Sequence, residues 1–200
     1  IIGAGPAGLM AGAGLTMLGR SFEIIERKVV GQTWREMPES FVVNVPARDF
    51  LGFEHSLRHE GVIFNKERRP LLEFFDEYIA AFGLRKKIRE HTSVEQIIRH
   101  PNGVFQVLWK GADNWLHISY ARNIIFGAGV FHQPNRLNVE GEDKFPGKVF
   151  HVSDVLDIDN HIGRNEKIVI VGAGNSALRV LEIAQKKTEA ITMIFRQEKI

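Results

Sequence analysis

The sequence predicts an α/β protein built from two βαβ units, and three observations carry that expectation. A glycine-rich turn is written twice, in "IIGAGPAGLMAG" from residue 1 and in "IVIVGAGNSALRV" from residue 168. The first copy follows two isoleucines and the second Ile-Val-Ile-Val, and each opens a stretch with helical spacing. Between the copies the apolar period changes from three and four residues to two, the mark of a helix followed by strands.

The first unit opens with Ile1 and Ile2, which lead into Gly3-Ala4-Gly5-Pro6-Ala7-Gly8. A helix of small and apolar residues is expected to run to Leu18, with Gly19 as its stop before the strand "SFEIIER". Fewer residues precede Gly3 than the ~5 of a typical strand, so the chain is expected to begin inside its first strand and to be part of a longer protein. Residues 30–55 lack sustained periodicity and contain two prolines. They read as loop with a short extended piece at 41–45, and so long a loop points to function.

Pro70 suits a first helical turn, and Leu71, Phe74, Phe75, Tyr78, Ile79 and Phe82 recur at helical spacing before Gly83. That pattern predicts an amphipathic helix with one buried stripe. From Val94 the segments "VEQIIRH", "VFQVLWK" and "WLHISY", separated by turn residues, predict a β-meander. "NIIFGAG" (123–129) reads as a buried parallel strand, and residues 132–148, rich in Pro, Asn and Gly, as a connection. Strand 168–171, a helix to about Lys187 and the strand "ITMIF" then repeat the opening. The fold class is α/β with two Rossmann-like dinucleotide-binding domains, residues 1–136 with the meander and residues 137–200 as the start of the second.

Composition narrows the function. With 26 Lys+Arg against 24 Asp+Glu the net charge is +2, and the short basic stretches at 65–69 and 84–87 are interleaved with acids or apolar residues. Nucleic-acid binding is therefore not expected. The chain has no cysteine, which excludes from these residues disulfides, thiolate metal sites, nucleophilic thiols and a redox CxxC pair. No apolar run approaches the ~20 residues of a membrane span. The eight histidines show no HxH or HExxH spacing, so no metal site is expected. A cytoplasmic location is expected, and the oligomeric state is open, with a homodimer among the options.

The turns carry the chemistry. In Gly3-x-Gly5-x-x-Gly8 the first glycine permits the tight turn, the second lets backbone approach a pyrophosphate, and the third lets helix pack on strand. The pyrophosphate rests on the helix N-terminus, where backbone N–H groups and the macrodipole favour an anion. Glu26 ends the second strand, where a carboxylate accepts hydrogen bonds from ribose hydroxyls. In the second turn, Gly172-Ala173-Gly174-Asn175-Ser176-Ala177, alanine takes the third place; Arg196 stands 24 residues after Gly172, where Glu26 stands 23 after Gly3, and no acid occupies the equivalent position. A guanidinium there pairs with a 2′-phosphate. The first turn is therefore expected to hold a nucleotide with free ribose hydroxyls, and the second NADPH.

Taken together, these residues resemble the flavin-dependent monooxygenases of the flavin-containing, Baeyer–Villiger and N-hydroxylating groups. Phe145-Pro146-Gly147-Lys148-Val149-Phe150-His151 is similar to that family's FxGxxxH, with Val155 where an aromatic residue is usual. "GQTW" (31–34) resembles its GGxW, with Gln32 in place of a glycine, and "NVPARD" (44–49) resembles its NxPKE segment. "FGAG" (126–129) resembles its ATG segment, with Ala128 in place of threonine. The resemblance implies FAD at the first turn and NADPH at the second.

It also implies a reaction in which NADPH reduces FAD, and O2 gives a flavin C4a-hydroperoxide that oxygenates a small nitrogen- or sulfur-containing nucleophile or a ketone. Asn44 is the implied catalytic residue near the flavin and nicotinamide. Pro6, Ala7, Arg27, Gln32, Trp34, Val94 and Gly127 join the glycines, Glu26, Asn175, Ser176 and Arg196 as implied cofactor contacts. Val94 would do so through its backbone. His151 is expected to support the fold more than to transfer protons. Two alternatives remain open here: a flavin NAD(P)H oxidoreductase of the disulfide-reductase kind, and an FAD-binding protein without turnover.

Overall fold

The structure is a computed structural model that describes residues 1–37, 52, 68–129, 134–155 and 157–196. It divides into two compact units, Ile1–His132 and Gln133–Ile200.

In the first unit Ile2 is the centre of a parallel sheet. It bridges Ile25 on one side and Phe126 on the other, and β1 (Ile24–Ile25) pairs in turn with β2 (Ile88–Arg89). The order across the sheet is therefore β2, β1, Ile2, Phe126, with the first segment of the chain inside and later segments added on both flanks. Glycine turn and helix α1 (Pro6–Met17) connect Ile2 to β1. The helix buries Gly8, Leu9, Gly12 and Ala13, a stripe of small residues. A Cβ on Gly12 would come 2.9 Å from Ile24 Cδ1, so glycine sets how near the helix lies to the sheet.

After β1 comes a short helix, α2 (Gln32–Arg35), in the region expected to be loop. It starts from Gly31, whose φ of 65° is left-handed and whose amide bonds the Ala4 carbonyl at 3.2 Å. That long-range bond, rather than any local pattern, fixes the helix. The longer α3 (Arg68–Ala81) follows the predicted stripe: Leu71, Phe74, Phe75, Tyr78, Ile79 and Phe82 are all buried and join Leu9, Ala13, Ile24 and Val30 in one core. Each large side chain so buried contributes about 1.5–3 kcal/mol. The Tyr78 ring lies 4.7 Å from that of Phe82, and its hydroxyl donates to the Gly52 carbonyl at 2.9 Å.

The meander is present as β3 (Ser93–Arg99), β4 (Phe105–Lys110) and β5 (Leu116–Ala121), antiparallel in sequence order. A register shift lies between Val94 and Gln96. Along β5, Leu116, Ile118 and Tyr120 are exposed while the residues between them are half-buried. Trp109 of β4 stacks on His117 of β5, centroids 4.3 Å apart, and lies under the Arg89 guanidinium. Segment 123–129 corrects one expectation. Its pairing with Ile2 is parallel as predicted, but Ile125 and Phe126 are exposed, Phe126 at 72%. It is an edge, paired on one side, and nothing among the described residues covers its outer face.

In the second unit residues 134–150 form no helix or strand beyond a 3-10 turn at Glu142–Lys144, as a connection should. The four-residue helix α4 (Ile158–His161) is N-capped by Asp157. The repeat follows as β6 (Ile168–Val171), α5 (Asn175–Ala184) and β7 (Ile191–Ile194), with β6 and β7 parallel. Helix α5 ends three residues earlier than expected. The chain turns at Gln185 and continues through hydrogen bonds such as Lys187 N–H to the Ala184 carbonyl.

Candidate functional site

The first glycine turn sorts its three glycines by what surrounds them. Gly3 has φ 98°, and a Cβ there would sit 2.5 Å from the Gly127 carbonyl oxygen. At Gly8 a Cβ would overlap the Gly3 carbonyl. Both are closed positions that only glycine fits. Gly5 is the opposite: its φ of −83° and ψ of −172° are extended and a Cβ would meet nothing within 4 Å. Gly5 is also the N-cap of α1, Pro6 occupies the first helical turn, and no side chain caps the helix. Here is a helix N-terminus with room in front of it, at the carboxyl end of a central parallel strand, which is where α/β sheets take anionic ligands.

Gly127 closes the turn from behind. Its amide donates to the Ile2 carbonyl at 2.8 Å, and a Cβ on it would come 3.1 Å from the Gly8 nitrogen. Its part is to let the fourth strand lie against the turn.

Glu26 ends β1 as expected and reaches into the turn. One carboxylate oxygen accepts the Ala4 amide at 2.8 Å and the other the Lys28 amide at 2.9 Å. Each oxygen keeps a lone pair for a further donor. The Thr92 amide donates to the Glu26 carbonyl at 2.8 Å, which brings Val94, two residues on in β3, to the same end of the sheet. Arg27 is exposed. Gln32 donates to Glu36 at 2.9 Å, and hydrogen bonds from Lys28 and Gln32 hold the Glu36 carboxyl below its usual range. Trp34 is partly buried and packs against the core. Asn44 lies outside the described residues.

Glu90 was not foreseen. It follows β2 directly, as Glu26 follows β1, and its carboxylate accepts the Val30 amide at 2.8 Å. The signal in the sequence was the parallel between "IIE" and "IRE"; the partner, 60 residues away in the chain, was invisible.

The second turn repeats the plan in the other unit. Gly172 has φ 117°, and its amide donates to the Ile194 carbonyl at 2.8 Å. Gly174 N-caps α5 without a side-chain cap, and a Cβ on it would meet nothing within 4 Å. Asn175 and Ser176 begin the helix and are exposed. Ala177 fits in the third place because this turn is looser: its Cβ lies 3.9 Å from where a Cβ on Gly172 would be. Arg196 stands two residues beyond β7, exposed, and makes no ion pair among the described residues. A shallow concavity lined by Asn165, Gln185, Lys186 and Thr188 lies at the far end of α5 from the turn.

His151 has a local task. Its Nδ1 accepts the Ser153 amide at 3.1 Å, while its own amide points to Asp154 at 3.4 Å, capping the 3-10 turn Val152–Asp154. Because Nδ1 accepts, the ring hydrogen is on Nε2. Asp154 also takes both Arg136 nitrogens at 2.7 Å, and the Arg136 pair holds its carboxyl below the usual range. Among the described residues no cluster of His, Asp or Glu could hold a metal ion, and no helix is long and apolar enough to cross a membrane.

Parallel strands, each followed by a tight glycine turn and an uncapped helix start, define an α/β fold. The chain belongs to the pyridine nucleotide-disulphide oxidoreductase family, whose model matches residues 1–200. It is 29% identical over 201 residues to a ferredoxin–NADP reductase of Halalkalibacterium halodurans, covering 100% of this chain and 54% of that protein. It is 26% identical over 201 residues to a flavin-containing monooxygenase of Arabidopsis thaliana, covering 86% of this chain and 43% of that protein. The monooxygenase resemblance seen in the sequence is thus borne out. The chain spans about half the length of the curated relatives it matches.

Among solved structures, S-allyl-L-cysteine S-oxygenase from Allium sativum superposes with TM-score 0.82 at 21% identity, over 100% of this chain and 51% of that one. Bacillithiol disulfide reductase from Bacillus cereus superposes with TM-score 0.73 at 21% identity, over 97% and 56%. OTEMO in complex with FAD and NADP gives TM-score 0.65 at 20% identity, over 96% and 37%. These likenesses concern the fold.

Proposed function

We propose that this chain carries the two nucleotide sites of an FAD- and NADPH-dependent monooxygenase, in two Rossmann-like domains, with FAD at the first glycine turn and NADPH at the second. One observation carries the proposal. Two helices, in separate units, each begin at an uncapped glycine whose missing side chain leaves open space, Gly5 and Gly174. The residues present fit the groups: a cradle that a Cβ would fill, and a carboxylate at Glu26 with lone pairs for ribose hydroxyls.

FAD, if bound at the first turn, would supply the redox chemistry, as acceptor of hydride from NADPH and as the group through which O2 would be used on a nitrogen, sulfur or ketone substrate. The chain's residues do the rest. The first turn of α1 holds the pyrophosphate of FAD, and Gly5 keeps the approach clear. Glu26 orients the adenosine ribose. Arg196 selects NADPH by pairing with its 2′-phosphate, and the α5 start with Asn175 and Ser176 holds the diphosphate. Asn44 stays a candidate near the flavin through its resemblance to the family segment.

The experiment supplies NADPH, 18O2 and a panel of thioethers, amines and ketones to the flavin-loaded protein. Incorporation of one 18O per NADPH consumed is expected with at least one substrate. A second reading, an NAD(P)H oxidoreductase without oxygenation, draws support from the ferredoxin–NADP reductase likeness. It predicts NADPH oxidation with release of all the oxygen as peroxide and no labelled product. The absence of cysteine from these residues weighs against dithiol chemistry within them.

A further inference from the structure

At the carboxyl ends of adjacent parallel strands the same device appears twice. Glu26, directly after β1, reaches sideways to the amide of Ala4 in the glycine turn at 2.8 Å. Glu90, directly after β2, reaches sideways to the amide of Val30 in the next turn at 2.8 Å. The segment so held, residues 28–31, is bonded on every side. The Lys28 amide goes to Glu26, the His91 amide goes to the Lys28 carbonyl at 2.8 Å, and the Gly31 amide goes to the Ala4 carbonyl at 3.2 Å. Val30 is 1% exposed, so its amide has no water to fall back on and depends on the Glu90 oxygen. The other Glu90 oxygen lies 3.5 Å from the Arg85 guanidinium, and the Glu90 carbonyl accepts the Thr92 hydroxyl at 3.0 Å, which steadies the carboxylate from behind.

The bonds run in series. Glu90 fixes Val30, the 28–31 turn fixes Lys28, and Lys28 donates the amide that sets one of the two Glu26 oxygens. A carboxylate pinned through both oxygens presents its remaining lone pairs in fixed directions, which is what recognition of a single hydroxyl needs.

We infer that Glu90 is a positioning residue of the first nucleotide site: through Val30 and Lys28 it holds Glu26 in the orientation that reads the ribose hydroxyls. The inference rests on the proposal that the first turn binds FAD. Glu90 itself touches no nucleotide and acts only through Glu26.

The test compares Kd for FAD and for its analogue built from 2′-deoxyadenosine, on the purified chain and on Glu90→Ala and Glu90→Gln, with thermal melting of each ligand-free protein alongside. The unchanged chain is expected to prefer FAD over the analogue. Glu90→Ala should shrink that preference roughly three- to tenfold, the size of one hydrogen bond, and Glu90→Gln, whose amide oxygen still accepts from Val30, should restore most of it. A role in stability alone would lower the melting temperature and weaken both ligands alike, leaving their ratio unchanged; that result overturns the inference while the FAD site stands. Should Glu90→Ala not fold, Glu90→Gln still decides, because a preference lost in spite of the retained acceptor also overturns it. No binding of FAD by the unchanged chain, or binding without preference, removes the nucleotide proposal and this inference with it.

Discussion

Glu26 and Ala4, twenty-two residues apart in the chain, are joined by a 2.8 Å hydrogen bond from the Ala4 amide to the Glu26 carboxylate. Ala4 is fully buried, and together with the Gly3 amide bonded to the Ile25 carbonyl at 2.8 Å this bond ties the strand that ends in the acid to the first glycine turn. Both carboxylate oxygens accept backbone amides. Glu26→Gln can satisfy one and must set its NH2 against the other, and it should lower stability by about 1–3 kcal/mol in urea unfolding. An unchanged unfolding midpoint would mean that the turn is not held this way.

The two ends of the first turn should respond differently to added bulk. Gly5→Val adds its side chain to open space in an extended backbone, so it should cost no more than about 1 kcal/mol of stability while abolishing FAD retention. Gly8→Ala forces a methyl into the Gly3 carbonyl and should destabilise by about 1–3 kcal/mol. Normal flavin content in folded Gly5→Val would refute the cradle.

Arg196→Ala should raise KM for NADPH and leave that for NADH nearly unchanged, a selective loss of about 1–3 kcal/mol for one charge-assisted contact. Steady-state kinetics with both coenzymes decides it; equal effects would remove Arg196 from phosphate recognition.

His151→Ala should cost about 1 kcal/mol of stability by uncapping the turn at 152–154, whereas His151→Asn, which can accept the same amide, should restore it. In neither variant should the pH profile of kcat move. Loss of a limb from that profile would give His151 a proton-transfer role that its present hydrogen bonds do not suggest.

Burial pushes the Tyr78 phenol up to about 12. Its ionisation is suppressed in the folded state, so the unfolded chain, with a phenol near 10, releases its proton first as pH rises. The contribution is fully present below pH 10 and is lost as pH climbs from there toward 12. Urea unfolding followed across that range should show a falling midpoint, and Tyr78→Phe should flatten the fall at a cost of about 0.5–1.5 kcal/mol for the hydroxyl's bond to Gly52.

The parts of this molecule that were legible in the sequence are those governed by local periodicity or by a single residue's geometry. All six apolar residues of the 70–82 stripe are buried, because a 3.6-residue repeat can bury only one face. Both glycine turns stand where the spacing put them, with left-handed Gly3 and Gly172 and open Gly5 and Gly174. What escaped depends on distant partners. Helix α2 is set by the bond from Gly31 to Ala4, the role of Glu90 by its reach to Val30, and the exposure of Phe126 by what lies beyond the strand rather than within it. A continuous apolar run says that a segment prefers burial, not that a neighbour covers it.

Among the described residues strand β5 pairs on one side only, and it turns Leu116, Ile118 and Tyr120 outward, at 53, 52 and 67% exposure. Unshielded rims of this kind recruit further strands from other molecules. At high concentration the chain should self-associate through this rim, and Ile118→Lys should keep it dispersed without touching either glycine turn.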